Sequence, residues 1–262
     1  MFVITQSIYD VAVLHNIMNT FGFGSVITQN KIQKTACFIV QDQVGNSLLV
    51  SLFNGNMVLP TRQARFLLFL EAYNQLILKL FLSEKQVPRK RKAIRPLTIV
   101  DKLPHTVLPT LEDAWITSLT DSEGCFHVRF SPSGYVIESH LNQKSELNMP
   151  ILKYIKDLFG SGTIKPHHEL NNWVWLVSGL KPCFSIQAYF KKYPLLSKKR
   201  LSFEKWRIIA IAIKAKKHLV PLEKVKLVAL SKKVNPKIGL ELLKVSKPLF
   251  VPNKPRRLVR NV

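Results

Sequence analysis

The chain is written twice. Slid against itself by 137 residues, Thr5-Gln6 falls on Asn142-Gln143, Phe38 and Val40 on Trp175 and Val177, Phe53 on Phe190, Phe66 on Phe203, and Phe69 on Trp206. One inserted residue then brings Leu14, Ile17, Phe21, Gly22, Gly24 and Val26 onto Leu152, Ile155, Phe159, Gly160, Gly162 and Ile164. Coincident glycines, aromatics and strand positions mean tandem modules built on similar cores. Each half reads as strand, helix, glycine turn, strand, strand, then one or more helices. Leu14-x-x-Ile17-x-x-x-Phe21 and Leu152-x-x-Ile155-x-x-x-Phe159 have helical spacing, and Phe-Gly-Phe-Gly or Phe-Gly-Ser-Gly follows where a positive φ closes the helix. Ala36 to Val40 and Trp173 to Val177 are apolar and aromatic enough for strands, and Trp173 and Trp175 share a strand face, which predicts core packing under a sheet.

The 262 residues, 47% of them hydrophobic, suffice for two cores. Lys and Arg number 39 against 16 Asp and Glu, a formal +23, which points to a polyanionic partner and first to nucleic acid. No apolar run approaches the roughly 20 residues that span a bilayer, so no membrane partner is expected. Cys37, Cys125 and Cys183 are widely spaced and read as reduced thiols rather than a disulfide framework or metal site. The start shows no cleavable signal or transit segment.

Charge and proline divide the chain further. Residues 82–109 carry Pro88, Pro96, Pro104 and Pro109 with Arg89, Lys90, Arg91 and Lys92, the pattern of an extended basic linker between a first module, 1–81, and a second, 110–215. A tail, 216–262, alternates apolar and basic residues at helical spacing until Pro248, Pro252 and Pro255. From Lys198 to the end there are 19 Lys and Arg against 3 Glu, so charge concentrates at the C-terminus. Such an excess predicts a tail that orders only on its partner.

One segment is not repeated: Leu111 to Phe126, LEDAWITSLTDSEGCF. Thr110 and Asp113 form a capping-box pattern, Trp115, Ile116 and Leu119 supply an apolar face, and the helix stops at Gly124. Cys125 to Phe130 alternates like a strand, with Ser131-Pro132-Ser133-Gly134 as the turn of a hairpin. The helix therefore delivers Asp121 and Glu123 to the join. Hard divalent cations take oxygen ligands and clamp phosphates, so such carboxylates suit metal-assisted phosphodiester chemistry. They equally suit a helix end exposed to water.

Ile116 to Phe126 resembles the signature of the LAGLIDADG homing endonuclease and intron maturase family. The resemblance runs from about residue 1 to 210, through Asn142-Gln143-Lys144 and Ile151-Leu152 to Gly162, and through Phe53-Asn54-Gly55-Asn56 and Leu59-x-Thr61-Arg62 in the first half. It implies an α+β fold of two αββαββα modules with saddle-shaped antiparallel sheets that grip a duplex, the first module truncated at its N-terminus, plus the basic, partly helical extension. Family signature helices favour small residues where they touch; Ser118 fits that and Thr117 is slightly bulky. The last acid of each signature helix binds the catalytic ion, a role that falls here on Glu123, with Asp121 beside it. Subtracting the offset places the matching acid about fourteen residues upstream of Met1.

The expectation is a family member retired from cleavage: a structural RNA-binding protein, RNA favoured over DNA, in an organellar assembly such as the mitochondrial ribosome. Binding needs no cofactor, and Mg²⁺ enters only if the chain cleaves. Ribosomal proteins or an upstream complementary fragment are the expected protein partners. An active Mg²⁺-dependent endonuclease completed by a second chain, or an intron maturase, stands as the alternative. Arg62, Arg65, Arg129, Lys144, Lys165, Lys198, Lys199, Arg200, Arg256, Arg257 and Arg260, with the linker run Arg89 to Lys92, are candidate phosphate contacts, and each also suits a solvated surface charge. His127 reads as facing nucleic acid or solvent, and His167-His168 as a hairpin loop.

Overall fold

The structure, a computed structural model, describes residues 1–82, 97–104, 106–167 and 169–235. Arg89, Lys90, Arg91, Lys92, His168, Arg256, Arg257 and Arg260 lie outside the described residues. The described residues form two compact units, one within Met1–Gln41 and one within Asp42–Pro236.

In the first unit, β1 (Phe2–Ser7), α1 (Val11–Phe21), β2 (Ser25–Asn30) and β3 (Thr35–Val40) build an antiparallel sheet of order β1-β3-β2. α1 packs on it, with Leu14 fully buried and the Phe21 ring 6.1 Å from that of Phe38.

The second unit opens with α2 (Gln43–Phe53), whose first turn is capped by the Asp42 carboxylate accepting from Gly45 N–H at 2.7 Å. α3 (Pro60–Leu82) begins with a proline, which costs a helix nothing at its first position. There follow α4 (Trp115–Glu123), β4 (Gly124–Ser131), β5 (Gly134–Lys144), α5 (Met149–Phe159), β6 (Thr163–Pro166), β7 (Asn172–Ser178), α6 (Leu180–Lys192), α7 (Lys199–Lys214) and α8 (Pro221–Ser231). The sheet is antiparallel, of order β4-β5-β7-β6. α5, α6 and α7 cover one face, where Phe126 meets the rings of Phe190, Phe203 and Trp206 at 5.3 to 5.9 Å. Trp173 and Trp175 join this core, as the strand spacing predicts. No helix among the described residues is long and apolar enough to cross a membrane.

The repeat holds to the level of register. Phe38 pairs with Ile4 and Val26, and Trp175 with Leu141 and Ile164, so β3 and β7 each carry an aromatic at the equivalent register between two aliphatic residues. Gly24 and Gly162 share positive φ, +82° and +91°. A Cβ on Gly24 would stand 2.4 Å from the Phe38 ring, and one on Gly162 would stand 2.5 Å from Trp175 Nε1. The gapped glycines are therefore fixed by the ring each one admits. β4 and α4 have no counterpart in the first unit's sheet, whose order is that of β5, β7 and β6.

Two expectations change, and the linker gains detail. α4 starts at Trp115, not after Thr110: the capping-box pair closes a preceding turn, in which the Asp113 carboxylate accepts from Thr110 N–H, Thr110 hydroxyl and Trp115 N–H. The latter part of the linker, residues 97–104 and 106–109, forms neither helix nor strand and is pinned by side chains of the second unit. Asn74 brackets Val100 by bonding both its N–H and its C=O, and Asn54 donates to Asp101 C=O while accepting from Leu103 N–H. The described part of the tail, up to residue 235, is folded against the second unit, because Leu227 and Val234 enter the core. Asn235 donates to Phe126 C=O at 2.6 Å and Lys224 to Ser131 C=O at 3.3 Å, closing the exposed edge of β4.

Candidate nucleic-acid interface

α4 is held at both ends before it presents anything. On its inner side the Thr117 hydroxyl donates to Tyr193 C=O, and Tyr189, whose hydroxyl donates to Asp113 C=O, accepts from Thr117 N–H. Thr117 thus faces α6 and is buried, leaving Ser118 and Ser122 on the exposed side. At the C-terminal end Lys199 Nζ donates to Thr120 C=O and Ser122 C=O, a cation on the negative end of the helix dipole. Gly124 admits the sharp passage into β4, since a Cβ there would lie 2.4 Å from the Thr120 side chain.

Asp121 and Glu123 part company at this point. Both Asp121 oxygens are engaged, accepting from Leu196 N–H, Ser197 N–H and the Ser197 hydroxyl at 2.6 to 3.1 Å. Asp121 therefore anchors the turn into α7. Glu123 is exposed and opens into a cleft of about 280 Å³ lined by Thr61, Arg62, Arg65, Gln143, Lys144, Ser145 and Asn148. Among these lining groups it is the one carboxylate, facing three cations that lie some 60 and 20 residues away in sequence. Beside it, burial pushes the Cys125 thiol above its ordinary range, which keeps that group protonated and a poor nucleophile.

Asn148, which the sequence reading did not single out, builds the cleft. It is 3% exposed; its Nδ2 donates to Thr61 Oγ1, Gln143 Oε1 and Lys144 C=O, and its Oδ1 accepts from Thr61 N–H and hydroxyl. The start of α3 is thereby tied to the end of β5, which is what brings Arg62 and Arg65 beside Lys144 and Glu123. The available signal was an Asn directly before Met149-Pro150, a helix-capping pattern; its long-range partner has no local signature.

The remaining candidates spread over one surface. On the sheet face opposite the core, Arg129 and His127 stand on β4, Lys144 and His140 on β5, and Lys165 on β6, the three cations all exposed. Lys198, Lys199 and Arg200 are half-buried at the start of α7. A metal ion placed in the cleft would find Glu123 as its anionic oxygen donor, since it is the one carboxylate in the lining and the amide oxygens of Gln143 and Asn148 are neutral. No group of three or more His, Cys, Asp and Glu suited to a metal occurs among the described residues.

Residues 1–73 and 116–210 match the family described as LAGLIDADG endonuclease. The chain belongs to the LAGLIDADG family. The structure of the LAGLIDADG homing endonuclease I-GzeII in complex with its DNA target superposes with a TM-score of 0.73 at 20% identity, covering 91% of this chain and 89% of that one. The meganuclease I-SmaMI, bound to uncleaveable DNA, gives 0.70 at 16% identity, over 91% of this chain and 87% of its own. Both show the LAGLIDADG fold. A probable intron-encoded endonuclease 4 of Neurospora crassa is 29% identical over 231 residues, 84% of this chain, and this chain spans 37% of that protein's length. Within the LAGLIDADG signature as it stands here, Asp121 is a scaffold and Glu123 the acid presented to the cleft.

Proposed function

We propose that this LAGLIDADG chain binds nucleic acid through phosphate contacts without cutting it, as a structural RNA-binding component of an organellar assembly such as the mitochondrial ribosome. The observation that carries this reading is the cleft lined by Arg62, Arg65 and Lys144 together with a single carboxylate, Glu123. Three cations facing one acid favour a phosphate over a pair of metal ions, because each phosphate neutralised releases counterions and the acid supplies half of a two-carboxylate site. The formal charge of +23 supports the same partner. Binding requires no cofactor. Mg²⁺ has a role only where a second acid joins Glu123.

A second reading rests on the relatives. The Neurospora protein is longer and named an endonuclease, and I-GzeII was solved on a DNA target. A second acid supplied by residues beyond these 262 or by another chain would complete a Mg²⁺-dependent DNA endonuclease; intron splicing is the third use of such a surface.

The test has two parts. Crosslinking in native extract followed by sequencing of the attached nucleic acid is expected to return ribosomal RNA; intron RNA would indicate a maturase. Supercoiled plasmid carrying the sequences recovered by crosslinking, incubated with Mg²⁺, is expected to remain intact, and Glu123→Gln to retain nucleic-acid binding. Nicking that Glu123→Gln abolishes would overturn the non-cutting reading.

A further inference from the structure

The sheet face opposite the core is basic at its margins, with Arg129, Lys144 and Lys165, yet it carries one acid, Glu138. Cross-strand pairing sets Glu138 opposite His127, and His140 Nε2 lies 3.1 Å from Glu138 Oε2. The His127 and His140 rings are 6.3 Å apart. The side chains of Glu138 and His140 keep 20% and 26% of their surface exposed. On a face that meets phosphates a bare carboxylate weakens binding to every sequence alike. A carboxylate held in place by an imidazole has a different use: it is an acceptor with no donor, and it selects a partner that offers only donors.

Of the base edges in a major groove, cytosine offers the N4 amine as a donor without an adjacent acceptor, whereas adenine sets N7 beside its amine and guanine offers acceptors alone. The geometry points to Glu138, oriented by His140, as a specificity-determining contact that reads the N4 amine of a cytosine. This rests on the nucleic-acid-binding reading above and deepens it. Same-face residues on a strand are spaced roughly 6.8 Å apart, so Glu138 lies about 20 Å along β5 from Lys144 and a change there leaves the cleft intact. The same amine is presented by duplex DNA in its major groove and by RNA where a cytosine is unpaired.

Two random-sequence pools, duplex DNA and RNA, are selected on the full chain and on Glu138→Gln and Glu138→Ala, with matched unfolding midpoints as the folding check. The parent chain is expected to enrich cytosine at one position in the pool it retains, and that pool identifies the source. Glu138→Gln, which can both donate and accept, is expected to shift the position toward adenine, and Glu138→Ala to lose about tenfold in discrimination there. Variants that bind more tightly to all sequences with the base preference unchanged would overturn the inference and leave the binding reading standing. Failure of the parent chain to retain either pool would overturn the binding reading itself, and the inference with it.

Discussion

At the scale of single residues, the acids of the signature divide by what surrounds them. Asp121 is consumed by three donors from the turn into α7, and Glu123 is left with the cleft. Asn148 matters as much as either acid, because it is the buried amide that joins α3 to β5. Replacing it with alanine strands buried polar partners and should cost about 1–3 kcal/mol; urea denaturation checks this. Nucleic-acid affinity should fall with it, because Arg62 and Arg65 lose their fixed place. A second prediction concerns alkaline pH. Burial pushes the Cys183 thiol up to about 12 from an ordinary 9.0. In the unfolded chain it ionises near its ordinary value while the folded chain keeps its proton, so stability should be full below about pH 9 and decline from there toward 12. Denaturation midpoints across that range should show the fall, and Cys183→Ala should flatten it. Of these residues the sequence exposed Glu123 and the three cations by type and position, but not Asn148, whose role depends on a contact 87 residues away.

At the scale of elements, strand and helix placement followed from periodicity and from glycines whose φ the chain cannot otherwise reach. The start of α4 did not, because Thr110 and Asp113 satisfy each other in a turn before the helix begins. The C-terminal extension departs most from its composition. Charge alone argued for a tail ordered by its partner, yet Leu227 and Val234 are 6% and 1% exposed and the segment seals the edge of β4. A few buried apolar groups at helical spacing outweigh many solvated lysines, since exposed charge costs folding little. Val234→Asp places an unpaired charge in that core and should lower the unfolding midpoint by several degrees. Ending the chain at residue 216 should free the β4 edge and produce association detectable by light scattering.

For the whole molecule, charge and fold act together. Binding that depends on phosphate contacts should weaken linearly in log affinity against log salt, and joint replacement of Arg62, Arg65 and Lys144 by Gln should lower the slope by about 2 to 3. Titrations at several salt concentrations measure it, and an unchanged slope would remove those residues from the interface. By itself the sequence determined the repeat and the net charge, which are properties of residues near one another in the chain or summed over it, and the resemblance of its signature segment pointed to the family and the fold class. Only the tertiary structure decided that Asp121 is a scaffold, that Glu123 faces Arg62, Arg65 and Lys144, and that the tail closes a sheet. Each of those depends on which distant side chain arrives to fill a lone pair, a cleft or a strand edge.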